Sequence, residues 1–131
     1  MLQGKAYDVV STAARCAHAA TTELEKHFSL SAHIVDWDEL AEIERKRHAT
    51  ICINLLAAMS RGQEPSPVQA HALMVRYLTA AGWRYGPQLN ARTREHPQIV
   101  TFDRLTPAQQ QQYYVLVAIV KAFAQYAAER V

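Results

Sequence analysis

The sequence predicts a mainly α-helical protein: a pseudo-twofold repeat of helix–loop–helix units, four main helices in all, with a short β-hairpin between the third and fourth. Three observations carry that expectation. Apolar residues recur at helical spacing in four long stretches. Two of those stretches open on the same device, Ser66-Pro67-Val68-Gln69 and Thr106-Pro107-Ala108-Gln109. Finally, Trp37-Asp38-Glu39-Leu40 is echoed by Phe102-Asp103-Arg104-Leu105, an aromatic-Asp-x-Leu pattern repeated 65 residues later.

The first helix is expected over about Lys5 to His27. Val10, Ala13, Ala14, Ala17, Ala20 and Leu24 share its apolar face, and so many alanines make a thin face that neighbouring helices can approach closely. The second is expected from Trp37 or Ala41 to Ser60, with Ile43, Ile51, Leu55, Ala58 and Met59 inward and Arg61-Gly62 as a C-terminal stop. The third starts with Ser66 as N-cap, Pro67 at the first helical position and Gln69 completing a capping box, and ends at Gly82. The fourth repeats the cap at Thr106 and runs through Leu116, Val117, Val120 and Phe123 to the C-terminus. Gln109 serves that cap, and the rest of Gln109–Gln112 reads as exposed helix surface. His18 and His71 stand as counterparts in the first and third helices.

Trp83 to Asp103 lacks helical periodicity. A connection of about 20 residues in a small domain usually carries function or short strands. Trp83–Tyr85 and Ile99–Thr101 are expected to pair antiparallel around a polar turn containing Asn90, Arg92, Thr93 and Arg94.

Composition narrows the function classes. With 131 residues, half of them apolar and 20% charged, a single domain over 1–131 with its own core is expected. A net charge of +2 is too weak for a nucleic-acid footprint, and Arg45-Lys46-Arg47 follows Glu42 and Glu44 as a solvated helix face does. Cys16 and Cys52 both fall in apolar helical patterns and read as buried free thiols, not as a disulfide framework or zinc site. The histidines do not pair with acids at metal-ligand spacing, and His27 and His33 straddle a helix end. No apolar run approaches the ~18 residues that span a membrane, and the N-terminus lacks a signal-peptide core, so a cytoplasmic setting is expected. Signatures of metalloproteases, hydrolases, phosphate loops and dinucleotide folds are missing, so no catalytic activity, metal or cofactor is expected.

The run Gly82-Trp83-Arg84-Tyr85-Gly86, followed by His96-Pro97-Gln98-Ile99-Val100-Thr101-Phe102-Asp103-Arg104-Leu105, resembles the repeat motif of the ryanodine-receptor (RyR) domain, GWxYG then HPxxVxxDxL. The resemblance covers about Val68 to Ala124, and the whole chain is similar to small stand-alone RyR-domain proteins of bacteria and phages. It implies a degenerate repeat over about 5–62 and a better-matched one over about 66–128. It also implies a ligand-binding or interaction module without catalysis. In the large channels a paired repeat accommodates an adenine nucleotide. In prokaryotes the domain is associated with sensing or capturing nucleotide-derived signals of anti-phage immunity, in the host cytoplasm where a phage encodes it. The chain departs from the family in His71-Ala72-Leu73-Met74, which lacks an acid and an aromatic, in Ala19 after His18, and in Asn90, where Asp is common.

The candidate ligand-binding residues are Trp83, Tyr85, His96, Arg94, Arg84, Asp103, His71, Trp37, His18 and Arg45. Trp83 and Tyr85 alternate on an extended segment and share one face, where two rings can clamp a planar base, worth about 1–3 kcal/mol per base stacked. Their ordinary alternative is to cap the core. His96, held extended by Pro97, can donate to phosphate or ribose, or satisfy a carbonyl. Asp103 suits a helix N-terminus. His71 shares a face with Val68, Val75 and Leu78, where a lone histidine is commonly a satisfied core residue. Arg84, Arg92, Arg94 and Arg104 crowd the loop, and guanidinium forks suit phosphates. Trp37, Arg45 and Arg47 can supply a second wall if the two units face each other. The expected partner is thus a nucleotide-derived small molecule, sensed or sequestered. The competing expectation is a protein–protein interaction module anchored by the aromatic and arginine loop. Nucleic acid is least favoured, and the repeat with its alanine-rich helices permits a homo-oligomer.

Overall fold

A computed structural model of the chain describes residues 2–28 and 36–129, with side chains over 10–26 and 36–126. It has the expected class: four helices, α1 (Leu2–Phe28), α2 (Glu42–Ser60), α3 (Pro67–Ala80) and α4 (Pro107–Glu129), with a two-stranded sheet between α3 and α4. His33 and the last two residues lie outside the described part. Among the described residues no helix is long and apolar enough to cross a membrane.

Local chemistry sets the helix ends. Ser66 Oγ accepts from Gln69 N at 3.2 Å while Gln69 Oε1 accepts from Ser66 N at 2.8 Å. Thr106 and Gln109 repeat the exchange at 3.1 and 2.9 Å. Both boxes satisfy amide donors that a helix start leaves orphaned. α2 and α3 end alike, on Gly62 at φ +80° and Gly82 at φ +89°. Gln63 N donates to Ala58 O and Trp83 N to Leu78 O, the back-bonding that a left-handed glycine after a helix permits.

The core lies where the helices meet. Leu55 of α2, Leu78 of α3 and Val120 of α4 are its largest fully buried aliphatic residues, and Cys52 is buried beside them. Ala13, Ala14 and Ala17 are buried too, and α1 lies extensively along α4 as a thin alanine face allows. Cys16 is exposed, contrary to the buried thiol expected. Its α1 neighbours Ala13, Ala14 and Ala17 take the inward face instead.

The echo is structural. A 3-10 turn forms at Trp37–Glu39 and again at Phe102–Arg104. Their preceding residues, Asp36 and Thr101, have φ/ψ of −66°/155° and −69°/153°, and their closing residues, Leu40 and Leu105, −66°/144° and −67°/148°. A long helix follows each turn after two residues.

The strands correct one expectation. β1 (Arg84–Tyr85) pairs with β2 (Glu95–His96), not with Ile99–Thr101, and the pairing is parallel. The chain folds back between them: Asn90 bridges Glu95 antiparallel, with backbone bonds of 2.9 Å each way. Asn90 Oδ1 accepts from the amides of Arg92 and Thr93 at 3.0 and 3.2 Å. An asparagine side chain mimicking a backbone turn in this way holds the reversal.

Candidate functional site

Each unit carries three rings in contact. In the first, His18 of α1 lies 5.8 Å from Trp37 and 5.5 Å from His48 of α2, and Trp37 lies 6.1 Å from His48. In the second, His71 of α3 lies 5.9 Å from Phe102 and 5.1 Å from Tyr113 of α4, and Phe102 lies 6.4 Å from Tyr113. The offset of 65 that links Trp37 to Phe102 also links His48 to Tyr113. His18 and His71 are therefore counterparts in space as well as in sequence.

In the second unit the polar atoms of this cluster bind the loop. His71 is 3% exposed, and its Nε2–H donates to Gln98 O at 2.8 Å. Tyr113 donates its hydroxyl proton to Gln98 Oε1 in a short bond, and burial raises the phenol pKa. Gln112, read from the sequence as helix surface, is instead buried: it donates to Glu25 Oε1 at 3.1 Å and faces Gln98 Nε2 at 3.5 Å. Burial raises the Glu25 carboxyl, against the lowering by Gln112 and His18. Gln98 is thus a hub, and neither it nor Gln112 is singled out by sequence patterning.

The remaining loop candidates divide between loop construction and surface. His96 Nδ1 accepts from Gln98 N at 3.1 Å, which places the proton of the neutral ring on Nε2. Burial first, then Arg47 and His71, push the His96 pKa down to about 4. Trp83 is half-buried with its ring edge-on to His96 at 6.0 Å. Arg94 takes a left-handed φ of 57° and donates from Nη1 to Ala81 O at 3.0 Å, closing the end of α3. Arg84 is exposed, 3.9 Å from Glu95, and Tyr85 is 55% exposed. Asp103 is exposed, its carboxyl held low by the Thr101 hydroxyl and its own backbone amide. None of these side chains lines either of the two hollows described below.

Trp37 and Arg45 do share one. They line a hollow of about 550 Å³ with Lys46, Glu42, Ser11 and an apolar floor of Val10, Ala49 and Ile53. Glu42 pairs with Lys46 at 3.4 Å, whereas the Arg45 side chain makes no hydrogen bond or ion pair among the described residues. Next along α2, Arg47 corrects the reading of a solvated face: it is half-buried, and burial lowers its pKa against the pull of Glu44. His48, which the echo pointed to had the offset been carried along α2, is pushed down to about 4 by burial, then by Arg47 and His18. Arg47 acts electrostatically on His48 of the first unit and on His96 of the second.

A second hollow, about 450 Å³, opens between the α2–α3 turn and α4, lined by Met59, Glu64, Pro65, Val117 and Lys121 among others. Among the described residues no group of three or more His, Cys, Asp or Glu side chains is placed to hold a metal ion. The chain matches no family model, and comparison with curated proteins gives no match.

Proposed function

We propose that this protein is a non-catalytic binder of a small nucleotide-derived anion, of the stand-alone RyR-repeat type, holding an adenine-like base against Trp37 and its phosphate on Arg45 and Lys46. The observation that carries the reading is the hollow itself. It joins an aromatic ring, an apolar floor and a half-buried guanidinium with no carboxylate partner among the described residues. Its volume falls in the range of small-molecule sites, about 300–1,000 Å³. An apolar wall with few convergent polar groups is the usual composition of such sites, and a planar fork suits phosphate oxygens. Within this reading the bound molecule is an immune signalling nucleotide, and a phage-encoded protein of this kind sequesters it.

A thermal-shift screen against linear, cyclic and ADP-ribose-type nucleotides tests this. A ligand that binds only the folded state raises the melting temperature with concentration. The shift is expected for one nucleotide class and should vanish in Trp37→Ala and Arg45→Glu. A flat response across the panel refutes the nucleotide reading.

One observation favours the alternative of a protein-interaction module. Tyr85 and Leu89 are 55% and 63% exposed on the loop that also carries Arg84 and Arg92. Tyrosine and arginine are common interface anchors. On that reading a Tyr85→Ala variant loses a protein partner in pull-down, and nucleotides leave the melting temperature unchanged.

A further inference from the structure

The two units differ at one position beside the ring of the 3-10 turn. Tyr114 of α4 lies with its ring 6.5 Å from Phe102, inclined at 61°. The residue 65 positions earlier, by the offset that pairs Trp37 with Phe102 and His48 with Tyr113, is Ala49. Ala49 lines the hollow beside Trp37. Where the second unit sets a phenol against its turn aromatic, the first sets a methyl group and open space.

The neighbouring positions differ in charge. Arg45 and Lys46 stand where α4 has Gln110 and Gln111. Gln110 spends its amide on its own turn, donating to Phe102 O at 3.1 Å and Leu105 O at 3.3 Å. Arg45 has no such bond among the described residues. Two residues of the hollow, Val10 and Ser11, lie on the part of α1 that precedes any counterpart in α3, since His18 aligned on His71 places the start of α3 level with Ala14.

We infer that the hollow is a seat for a planar aromatic ring, presented to Trp37 as Tyr114 is presented to Phe102, and that Ala49 keeps the seat open. The occupant is an aryl or heteroaryl anion whose charged group lies toward Arg45 and Lys46. Aromatic pairs favour the edge-to-face approach seen in the second unit, and the protein supplies that geometry for a ligand by omitting its own ring. Resting on the ligand-site reading above, this adds the class of group that enters and the residue that selects it.

The test uses the full chain and 1H–15N NMR, with the Trp37 indole N–H assigned by its loss in Trp37→Phe. The probes are adenosine monophosphate, phenyl phosphate and inorganic phosphate. Both ring-bearing probes are expected to move the Trp37 indole signal saturably, and inorganic phosphate is not. Ala49→Tyr is expected to weaken both by about tenfold or more, while Ala49→Ser retains binding. A Trp37 signal indifferent to phenyl phosphate in the unaltered protein overturns the inference, even if Ala49→Tyr does not fold. Binding of both probes to folded Ala49→Tyr at unaltered strength also overturns it. Phenyl phosphate bound and blocked by Ala49→Tyr, with adenosine monophosphate silent, supports the ring seat and sinks the nucleotide reading. Adenosine monophosphate bound equally to both proteins sinks the seat and leaves the nucleotide reading standing elsewhere.

Discussion

Acid should loosen this fold well above the carboxylate range, and two histidines give the magnitude. His48 and His96 are each held down from the ordinary 6.5 to about 4 in the folded chain. The unfolded chain therefore takes up protons first. The stabilisation is complete above about pH 6.5 and is lost as the pH falls toward 4. At pH 5 an unfolded imidazole is almost fully protonated and the folded one about a tenth protonated, a difference of about 2 kcal/mol per ring. Both rings are half-buried and keep some solvent, so about half of that is the expected loss: ~1 kcal/mol each, ~2 together. Geometry supplies a reason independent of burial at His96. Its Nδ1 accepts from Gln98 N, and a proton there turns the acceptor into a donor facing a donor.

Urea unfolding at pH 8, 6.5 and 5 measures the effect, and the His48→Gln, His96→Gln double variant isolates it. The unaltered chain should lose ~2 kcal/mol more than the variant between pH 8 and 5. Glu25 acts in the opposite sense, because its raised carboxyl lets the folded form take a proton first; it is common to both proteins and cancels. Equal pH dependence in the two proteins, or an NMR titration of His96 with a midpoint at 6.5, refutes the reasoning.

Three further outcomes follow from packing and backbone, each read by urea or thermal unfolding. Leu55 is fully buried among the helices, so Leu55→Ala should cost about 2–5 kcal/mol with the cavity it leaves. Ser66→Ala removes one arm of a capping box and should cost about 1 kcal/mol, with the same expected at Thr106. Gly62 and Gly82 make a matched pair: both have positive φ, but a Cβ at Gly62 meets nothing, whereas at Gly82 it stands 3.0 Å from Arg94 Nη1. Gly62→Ala should cost about 1 kcal/mol and Gly82→Ala measurably more, and equal costs would remove Arg94 from the account.

The sequence made legible what is local. Ser66-Pro67-Gln69 and Thr106-Gln109 mark helix starts because the cap is formed by residues three apart. Gly62 and Gly82 mark the ends because only glycine takes their φ cheaply. The aromatic-Asp-x-Leu echo survives into matched dihedrals. Strand direction was not legible. Two-residue strands carry no periodicity, and the parallel register depends on the Asn90 turn and the left-handed Arg94. Burial of Arg47 and Gln112 was hidden for a different reason. Each sits in a polar run, and its burial depends on distant parts of the chain, such as Glu25 of α1 beside Gln112, that the run itself does not announce. Of the ten candidate residues, Trp37 and Arg45 line one hollow together.

The unit with the longer connection spends its polar atoms on architecture. Between α3 and the second 3-10 turn the chain runs through residues 81–101, and between α1 and the first only through 29–36. The longer insertion has to be held down: His71 and Tyr113 donate to Gln98, Gln112 accepts from it, and Arg94 donates to the helix end beside it. Once so committed, these groups can bind a ligand only by releasing the loop, which sets that cost against any affinity gained. The first unit has histidine where the second has Tyr113, alanine where it has Tyr114, and arginine where it has Gln110. Its rings pack as tightly, yet the Arg45 side chain has no hydrogen-bonding or ion-pair partner among the described residues, and the space beside Trp37 is open. One ring cluster anchors the long loop, and the other has no such loop to hold. A ligand entering there meets a preformed wall, so its binding need not be paid for by unfolding anything.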